Sequence, residues 1–271
     1  VVYSGRGSSH QGVTIYDITT DNSFFISSAS TVGSVDIVNT GSNLGVAFSI
    51  KSYKKVLVFE VPYDLDSHNQ KGNTITETID SFGKYAYSIS LAYNNGSYTL
   101  AVGASESKTV KVYTGNDWTS NYTLTDSNVN FFGHSVSLAK GDGNKLAIGG
   151  GNVAYVYDNQ KRLQTFTTTW IAFCHMSDDG SRLYVKGMKD TSATINQLNG
   201  TQYAVEHDIT LGTYAYYGAL SGNGTRVLLS SYDDHPTYVY GTSVTTTAPD
   251  NRVTVKVINS ADDGFGNSNK I

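Results

Sequence analysis

The chain has 271 residues, 39% of them hydrophobic, which is enough core material for one large all-β domain or two ordinary ones. Its 20 tyrosines and abundant serine and threonine, against only 15% charged residues, favour strands and turns over surface helices. The formal net charge of -4 leaves no electrostatic footprint for a polyanion and argues against nucleic acid or an anionic membrane surface as the main partner.

From the N-terminus, VVYSG reads as a second strand, VTIYD from Val13 as a third and residues 24–27 as a fourth. SVDIVNTGSNLGVAFS from Ser34 is a strand, a turn at Gly41-Ser42 and a strand, followed by KVLVFEV from Lys55 and a short segment at 75–79. SISLAYNNGSYTLAVG from Ser88 repeats the hairpin around Asn95-Gly96, with VKVY from Val110 and residues 122–125 completing the unit. SVSLAKGDGNKLAIG from Ser135 repeats it around Asp142-Gly143, with AYVYD from Ala154 and residues 163–167. AFCHMSDDGSRLYVKG from Ala172 turns at Asp179-Gly180 and leads to residues 203–210. YYGALSGNGTRVLLSS from Tyr216 turns at Asn223-Gly224, with TYVYG from Thr237 and residues 253–258 after it. The Asn-Gly and Asp-Gly pairs predict type I′ hairpins, whose central residues need positive φ.

Five recurrences of one hairpin, starting 37 to 54 residues apart, with a Val-Tyr-type third strand and usually a fourth, predict β-propeller blades. A two-sheet sandwich has no reason to repeat one hairpin motif. The terminal FGNSNKI resembles the first-strand entry FFGHSV at Phe131, so residues 265–271 are expected to pair with residues 1–5 and complete a sixth blade. Asn269 falls where the other repeats carry an inward apolar residue, and a simple tail over 260–271 is the competing reading. The expectation is therefore one domain over residues 1–271: all-β, a six-bladed propeller of four-stranded antiparallel blades closed by its terminal strands. Seven blades, or part of a longer propeller chain, is the alternative.

A Phe-Gly pair, then Ser-Val/Ile-Ser, a turn with Asp or Asn and Gly, then Leu-Ala-Val/Ile-Gly and a Val-Tyr strand, resembles the FG-GAP repeat family of β-propellers. The resemblance is clearest over Phe132-Gly133 to Tyr157 and Phe82-Gly83 to Tyr113. Trp118, in YTGNDWTSNYTL, resembles the aromatic segment that follows the Val-Tyr strand in microbial versions. The resemblance implies adhesion or ligand binding in an extracellular, cell-surface or virion-surface setting. It departs from the family at the calcium loop. GDG at 141, DDG at 178 and NNG at 94 supply too few carboxylates for an oxygen cage, and Asp64 and Asp66 lack a ligand further along their loop.

Catalytic, cofactor and metal residues are expected to be none. Lone Cys174 can form no internal disulfide, and in a strand it points away from its neighbour His175, so a buried apolar role is expected for it. The six histidines show no metal spacing, and no nucleophile elbow is present. Of five arginines, Arg182 and Arg226 occupy matching positions after successive hairpin turns, which reads as strand chemistry and not a substrate clamp. Tyr85, Tyr87, Tyr93 and Tyr98 in one blade, and Tyr214, Tyr216 and Tyr217 in another, are candidates for a sugar or protein contact, or for packing between blades. Asn95, Asn121, Asn199 and Asn223 head N-x-S/T sequons and are candidate glycosylation sites. No apolar run approaches about 18 residues and no leader pattern opens the chain, so neither a membrane span nor a signal peptide is expected. The expected function is non-catalytic binding of a protein or glycan, as an attachment module or a structural part of a surface assembly. The alternative is a propeller-type glycan hydrolase.

Overall fold

The computed structural model describes residues 2–5, 12–17, 22–28, 32–50, 55–63, 69–70, 75–76, 88–115, 117–141, 143–210, 215–231, 238–241 and 253–254. These residues are strands and turns, in six antiparallel sheets. The first holds β1 (Val2–Gly5), β2 (Gly12–Asp17) and β3 (Asn22–Ser27). The second holds β4 (Val32–Asn39), β5 (Asn43–Ile50), β6 (Lys55–Pro62) and β7 (Asn69–Gln70), with β8 (Ile75–Thr76) also on β6. The third runs β9 (Ser88–Asn94), β10 (Ser97–Ala104), β11 (Thr109–Thr114) and β12 (Thr119–Thr125). The fourth runs β13 (Ser135–Leu138), β14 (Lys145–Gly149), β15 (Val153–Asp158) and β16 (Lys161–Thr167). The fifth runs β17 (Ala172–Met176), β18 (Arg182–Gly187), β19 (Ser192–Asn199) and β20 (Gln202–Thr210). The sixth runs β21 (Ala215–Leu220), β22 (Arg226–Ser231), β23 (Tyr238–Gly241) and β24 (Val253–Thr254).

Both faces of most central strands are apolar, and the sheets pack one on the next in chain order. Val38, Ala47 and Val58 of the second sheet meet Leu91, Tyr98 and Leu100 of the third. Val112 of the third meets Leu138 and Ile148 of the fourth, and Val156 of the fourth meets Cys174 and Val185 of the fifth. Tyr184 and Ile195 of the fifth close on Leu220 and Leu229 of the sixth. Cys174 is 4% exposed, the buried apolar role its strand position predicts. The Val-Tyr pair of the third strands marks a β-bulge: register shifts at Val112/Tyr113 and Val156/Tyr157, and at the matching Ile195/Asn196, which raises the local twist.

The first strands β4, β9, β13, β17 and β21 lie side by side, and side chains staple them together. A polar side chain on each of the first four accepts the backbone N–H of an apolar residue on the next first strand. Asp36 Oδ2 takes Leu91 N at 2.8 Å, and Ser90 Oγ takes Leu138 N at 3.0 Å. Ser137 Oγ takes Met176 N at 2.9 Å, and His175 Nδ1 takes Leu220 N at 3.2 Å. Ser88 and Ser135 do the same one step earlier, for Val136 N and Cys174 N. An N–H left unpaired in so buried a position costs about 1–3 kcal/mol, which explains a polar side chain at alternate positions of an otherwise apolar strand. The bonds advance in step along both partners, so the first strands run parallel and equivalent loops share one face.

One turn expectation needs correction. Among the described Asn-Gly and Asp-Gly turn pairs, Asn95-Gly96 has both central residues at positive φ, 50° and 80°. At Asp179-Gly180 and Asn223-Gly224 the glycine alone is left-handed, at 67° and 68°. These loops are longer: Gly180 N bonds Ser177 O, and Gly224 N bonds Ser221 O. A four-residue turn reverses before its glycine, so the preceding Asp or Asn stays at negative φ and uses its side chain instead. Asp179 Oδ1 accepts Ser177 Oγ and Ser181 N, the turn-forming role expected of it. Gly143 is left-handed too, at 67°, but Asp142 lies outside the described residues. So do Phe82-Gly83, Asp64, Asp66 and the predicted terminal pairing segment 265–271 with Asn269.

Candidate functional site

The parallel first strands give the molecule two distinct ends. One carries the first-to-second and third-to-fourth turns; the other carries the second-to-third loops and the connections that cross from one sheet to the next. Among the described residues the second end holds two exposed aromatic residues in its sheet-to-sheet connections, while Tyr63, 47% exposed after β6, stands at the first end. Phe131, between β12 and β13, is 44% exposed, and Trp170, between β16 and β17, is 47% exposed. Both have left-handed backbones, φ 58° and 64°. A bulky residue in that region is an outlier, and such strain persists only where surrounding structure enforces it.

Trp170 shows how it is enforced. It stands two residues before its first strand, the place Gly133 holds in the preceding sheet with φ 87°. A Cβ at Gly133 would fall 2.9 Å from Thr109 O and 3.0 Å from Val110 Cγ2, so that position needs glycine, while Phe132 beside it is a fully buried plug. At the later sheet the same backbone carries an indole. Asp190 clamps the connection: its Oδ1 accepts Thr169 N at 3.2 Å and Thr169 Oγ1, while its Oδ2 accepts Gly187 N at 2.8 Å. Lys189 Nζ sits 4.0 Å above the Trp170 ring, a cation–π contact.

Beneath this loop lies Lys186, 1% exposed, on the strand position that Val102 and Ile148 occupy in the sister sheets. Its ammonium donates to Gly187 O at 2.8 Å and Asp190 O at 2.9 Å, tying down the loop that carries Lys189 and Asp190. Burial pulls its pKa down to about 8. Sequence reasoning missed Lys186. The available signal was one charged residue at a position that holds Phe48, Val102 and Ile148 in the three preceding sheets.

Phe131 belongs to a second aromatic group. Its ring lies 6.5 Å from His134, which lies 5.5 Å from Phe173 on the next sheet, both edge to face. Burial pushes the His134 pKa down to about 4, so the imidazole is neutral over the ordinary pH range. From the Trp170 clamp a groove of about 580 Å³ descends between the fourth and fifth sheets, lined by Phe166, Thr169, Asp190, Asn196, Tyr203 and Val205. Val205 is 62% exposed, and the buried Asn196 Oδ1 has no hydrogen-bond partner. Gln164 forms part of the wall by bonding both Tyr203 N and Tyr203 O, as a backbone amide would.

The residues singled out from sequence fall elsewhere. Tyr98 is buried and reaches across to Glu60 at 3.0 Å, filling the space left by Gly45, where a Cβ would lie 2.7 Å from its ring. Tyr93, its cross-strand partner, packs on it edge to face at 4.8 Å, and Tyr98 joins the second and third sheets. Tyr85, Tyr87 and Tyr214 lie outside the described residues, and Tyr216 and Tyr217 sit in β21. Arg182 makes a bidentate pair with Glu206, at 2.7 and 2.8 Å, and Trp118 is buried against Tyr98. Asn95, Asn199 and Asn223 are exposed at tight turns of the opposite end, and Asn121 lies in β12 just after another of those turns. Among the described residues no three of His, Cys, Asp and Glu gather as a metal site, and no helix is long and apolar enough to cross a membrane.

Together these features define an all-β protein of the β-propeller type. It is similar to the β-propeller domain of Myceliophteria thermophila Cps50 (Swd1), with a TM-score of 0.65 and 15% identity over 89% of this chain and 82% of that one. It is similar also to a chain in the complex of KlAtg21 with the coiled-coil of AgAtg16, with a TM-score of 0.62 and 14% identity over 91% and 81%. A third similar structure is a 6-phosphogluconolactonase, so described provisionally, from Bacteroides uniformis, with a TM-score of 0.62 and 14% identity over 98% and 82%. No family model and no curated protein matches the sequence. At these identities the likeness is one of fold, and the named structures span binding and enzymatic roles.

Proposed function

We propose that this chain is a non-catalytic, surface-exposed binding module, one six-bladed propeller domain of the FG-GAP-like type, closed by pairing of its terminal strands. It takes a protein or glycan partner on the end that carries Phe131 and Trp170. The observation that carries the reading is Trp170: an exposed indole held at positive φ, where the sister sheet needs glycine, by a carboxylate clamp and a buried lysine. Exposed aromatic surface on a rigid support is the usual anchor of an interface, and the adjoining groove offers hydroxyl and amide groups to an extended ligand. The KlAtg21 structure, a complex with a coiled-coil, supports protein binding by a propeller of this shape. Sequons confined to the opposite end are compatible with an extracellular, cell-surface or virion-surface setting, because glycans there would leave the aromatic end open.

The test compares wild type with a Phe131→Ala/Trp170→Ala double variant on a glycan panel and on intact surfaces of the source organism, alongside a glycan-hydrolysis screen. Binding by wild type should weaken by roughly 30-fold or more in the variant, with its melting temperature kept, as for loss of an aromatic hot spot. Equal binding by both proteins would remove the aromatic end from the interface. Turnover of any glycan, abolished by changing a carboxylate, would overturn the binding-only reading.

A further inference from the structure

Three Asn-Gly dipeptides occur on the turn end: Asn95-Gly96, Asn199-Gly200 and Asn223-Gly224. Each asparagine is exposed, and each dipeptide is followed by Ser or Thr. In a denatured chain the three are chemically near-equivalent. The fold makes them different. At Asn223 the side-chain oxygen accepts Ser221 Oγ at 2.8 Å, Thr225 N at 3.1 Å and Thr225 Oγ1 at 2.7 Å. The following amide, Gly224 N, donates to Ser221 O at 2.8 Å, and Gly224 is buried, with Arg182 Cδ 2.8 Å from where a Cβ would stand. Both reacting groups of that dipeptide are held. At Asn95 and Asn199 the side chains carry no hydrogen bond, and neither does Gly96 N or Gly200 N; both glycines are exposed.

We infer that Asn95 and Asn199 are sites of spontaneous modification to aspartate and isoaspartate in the folded protein, and that Asn223 is protected. The amide nitrogen of Gly96 or Gly200, losing its proton to hydroxide, attacks Cγ of the preceding asparagine. The Cγ–Nδ2 bond breaks, Nδ2 takes up a proton and leaves as ammonia, and a five-membered succinimide remains. Water then opens the ring at either carbonyl, giving aspartate or isoaspartate. Nothing is oxidised or reduced, and water is the only co-reactant. The glycine offers no Cβ to obstruct the attack, so the local barrier is set by whether the amide and side chain are free to approach each other. Each event adds one negative charge to the turn end. An isoaspartate also lengthens the backbone, at Asn95 within a two-residue hairpin loop whose φ of 50° already suits few residues, and at Asn199 at the end of β19, beside the Gly200-Thr201 loop. The modification depends on none of the binding assignments above. A glycan on either asparagine would block it, because the substituted nitrogen is a poorer leaving group.

The experiment incubates the intact folded protein in mildly alkaline buffer and follows each dipeptide by peptide mapping, with enzymatic methyl labelling of isoaspartate. A parallel sample in urea measures the unprotected rates. Asn95 and Asn199 should convert at least roughly tenfold faster than Asn223 when folded, a barrier difference of about 1.4 kcal/mol, and the three should converge in urea. A Ser221→Ala/Thr225→Val variant should release Asn223 and raise its folded rate towards the others. Equal folded rates at all three sites, or a ranking unchanged in urea, would overturn the inference. So would a variant that remains folded yet leaves Asn223 as slow as before.

Discussion

Asp36 is the residue on which three sheets converge, and its replacement by alanine gives the sharpest test of the stapled first strands. Its carboxylate, fully buried on β4, accepts Ile37 N at 2.8 Å, Leu91 N at 2.8 Å, Ser90 Oγ at 3.1 Å and Lys140 Nζ at 3.0 Å. Lys140 also donates to Ile37 O. Breaking a buried ion pair by deleting one partner costs about 3–5 kcal/mol, and the stranded Leu91 N–H alone accounts for about 1–3 of it. The Lys140 side chain is 17% exposed and can turn part-way to water, which places the expected loss near the lower end, about 3 kcal/mol. At about 2–4 °C per kcal/mol for a chain of this size, Asp36→Ala should melt about 6–12 °C below wild type. Circular dichroism melts with matched urea titrations measure it. Adding Lys140→Met to Asp36→Ala should recover part of the loss, because no unpaired charge then remains. A single variant within about 2 °C of wild type would refute the idea that a side chain on one sheet completes the hydrogen bonding of the next.

Other expectations can be measured on the same preparations. His134 has a folded pKa near 4 against about 6.5 unfolded, so the unfolded chain binds the extra proton between those values. Stability should therefore fall as pH drops from about 6.5 towards 4, and urea midpoints for His134→Gln should lose that component. Lys186 is likewise depressed, to about 8, so wild-type stability should rise from about pH 8 to about 10.5, a slope absent from Lys186→Met. Gly133→Ala meets both a positive φ and Thr109 O, and should cost about 2 kcal/mol or more, read as a lower urea midpoint. Trp170→Gly should do the opposite to stability, holding or raising the melting temperature by relieving about 1–2 kcal/mol of backbone strain while it loses binding.

The sequence alone determined the local half of this molecule. Apolar strands, a glycine at each repeated hairpin turn and a Val-Tyr pair in the third strand are short-range signals, because a strand's composition and a turn's φ are set within a few residues. They placed the strands and hairpins, the buried Cys174, and Arg182 as strand chemistry. What the tertiary structure decided depends on partners far along the chain. Ser90 reads as an ordinary strand serine until Leu138, 48 residues on, brings it an N–H. His175 reads as Cys174's neighbour until Leu220 does the same. Trp170 carries no local mark of its φ, since Asp190 and Lys186, 16 to 20 residues later, hold it there, and three identical Asn-Gly pairs differ in the hydrogen bonds and burial around them. Blade assembly exposes some side chains and buries others of the same type, Trp170 outside and Trp118 within, because exposure is fixed by the packing of neighbouring sheets and not by the residue or its immediate neighbours.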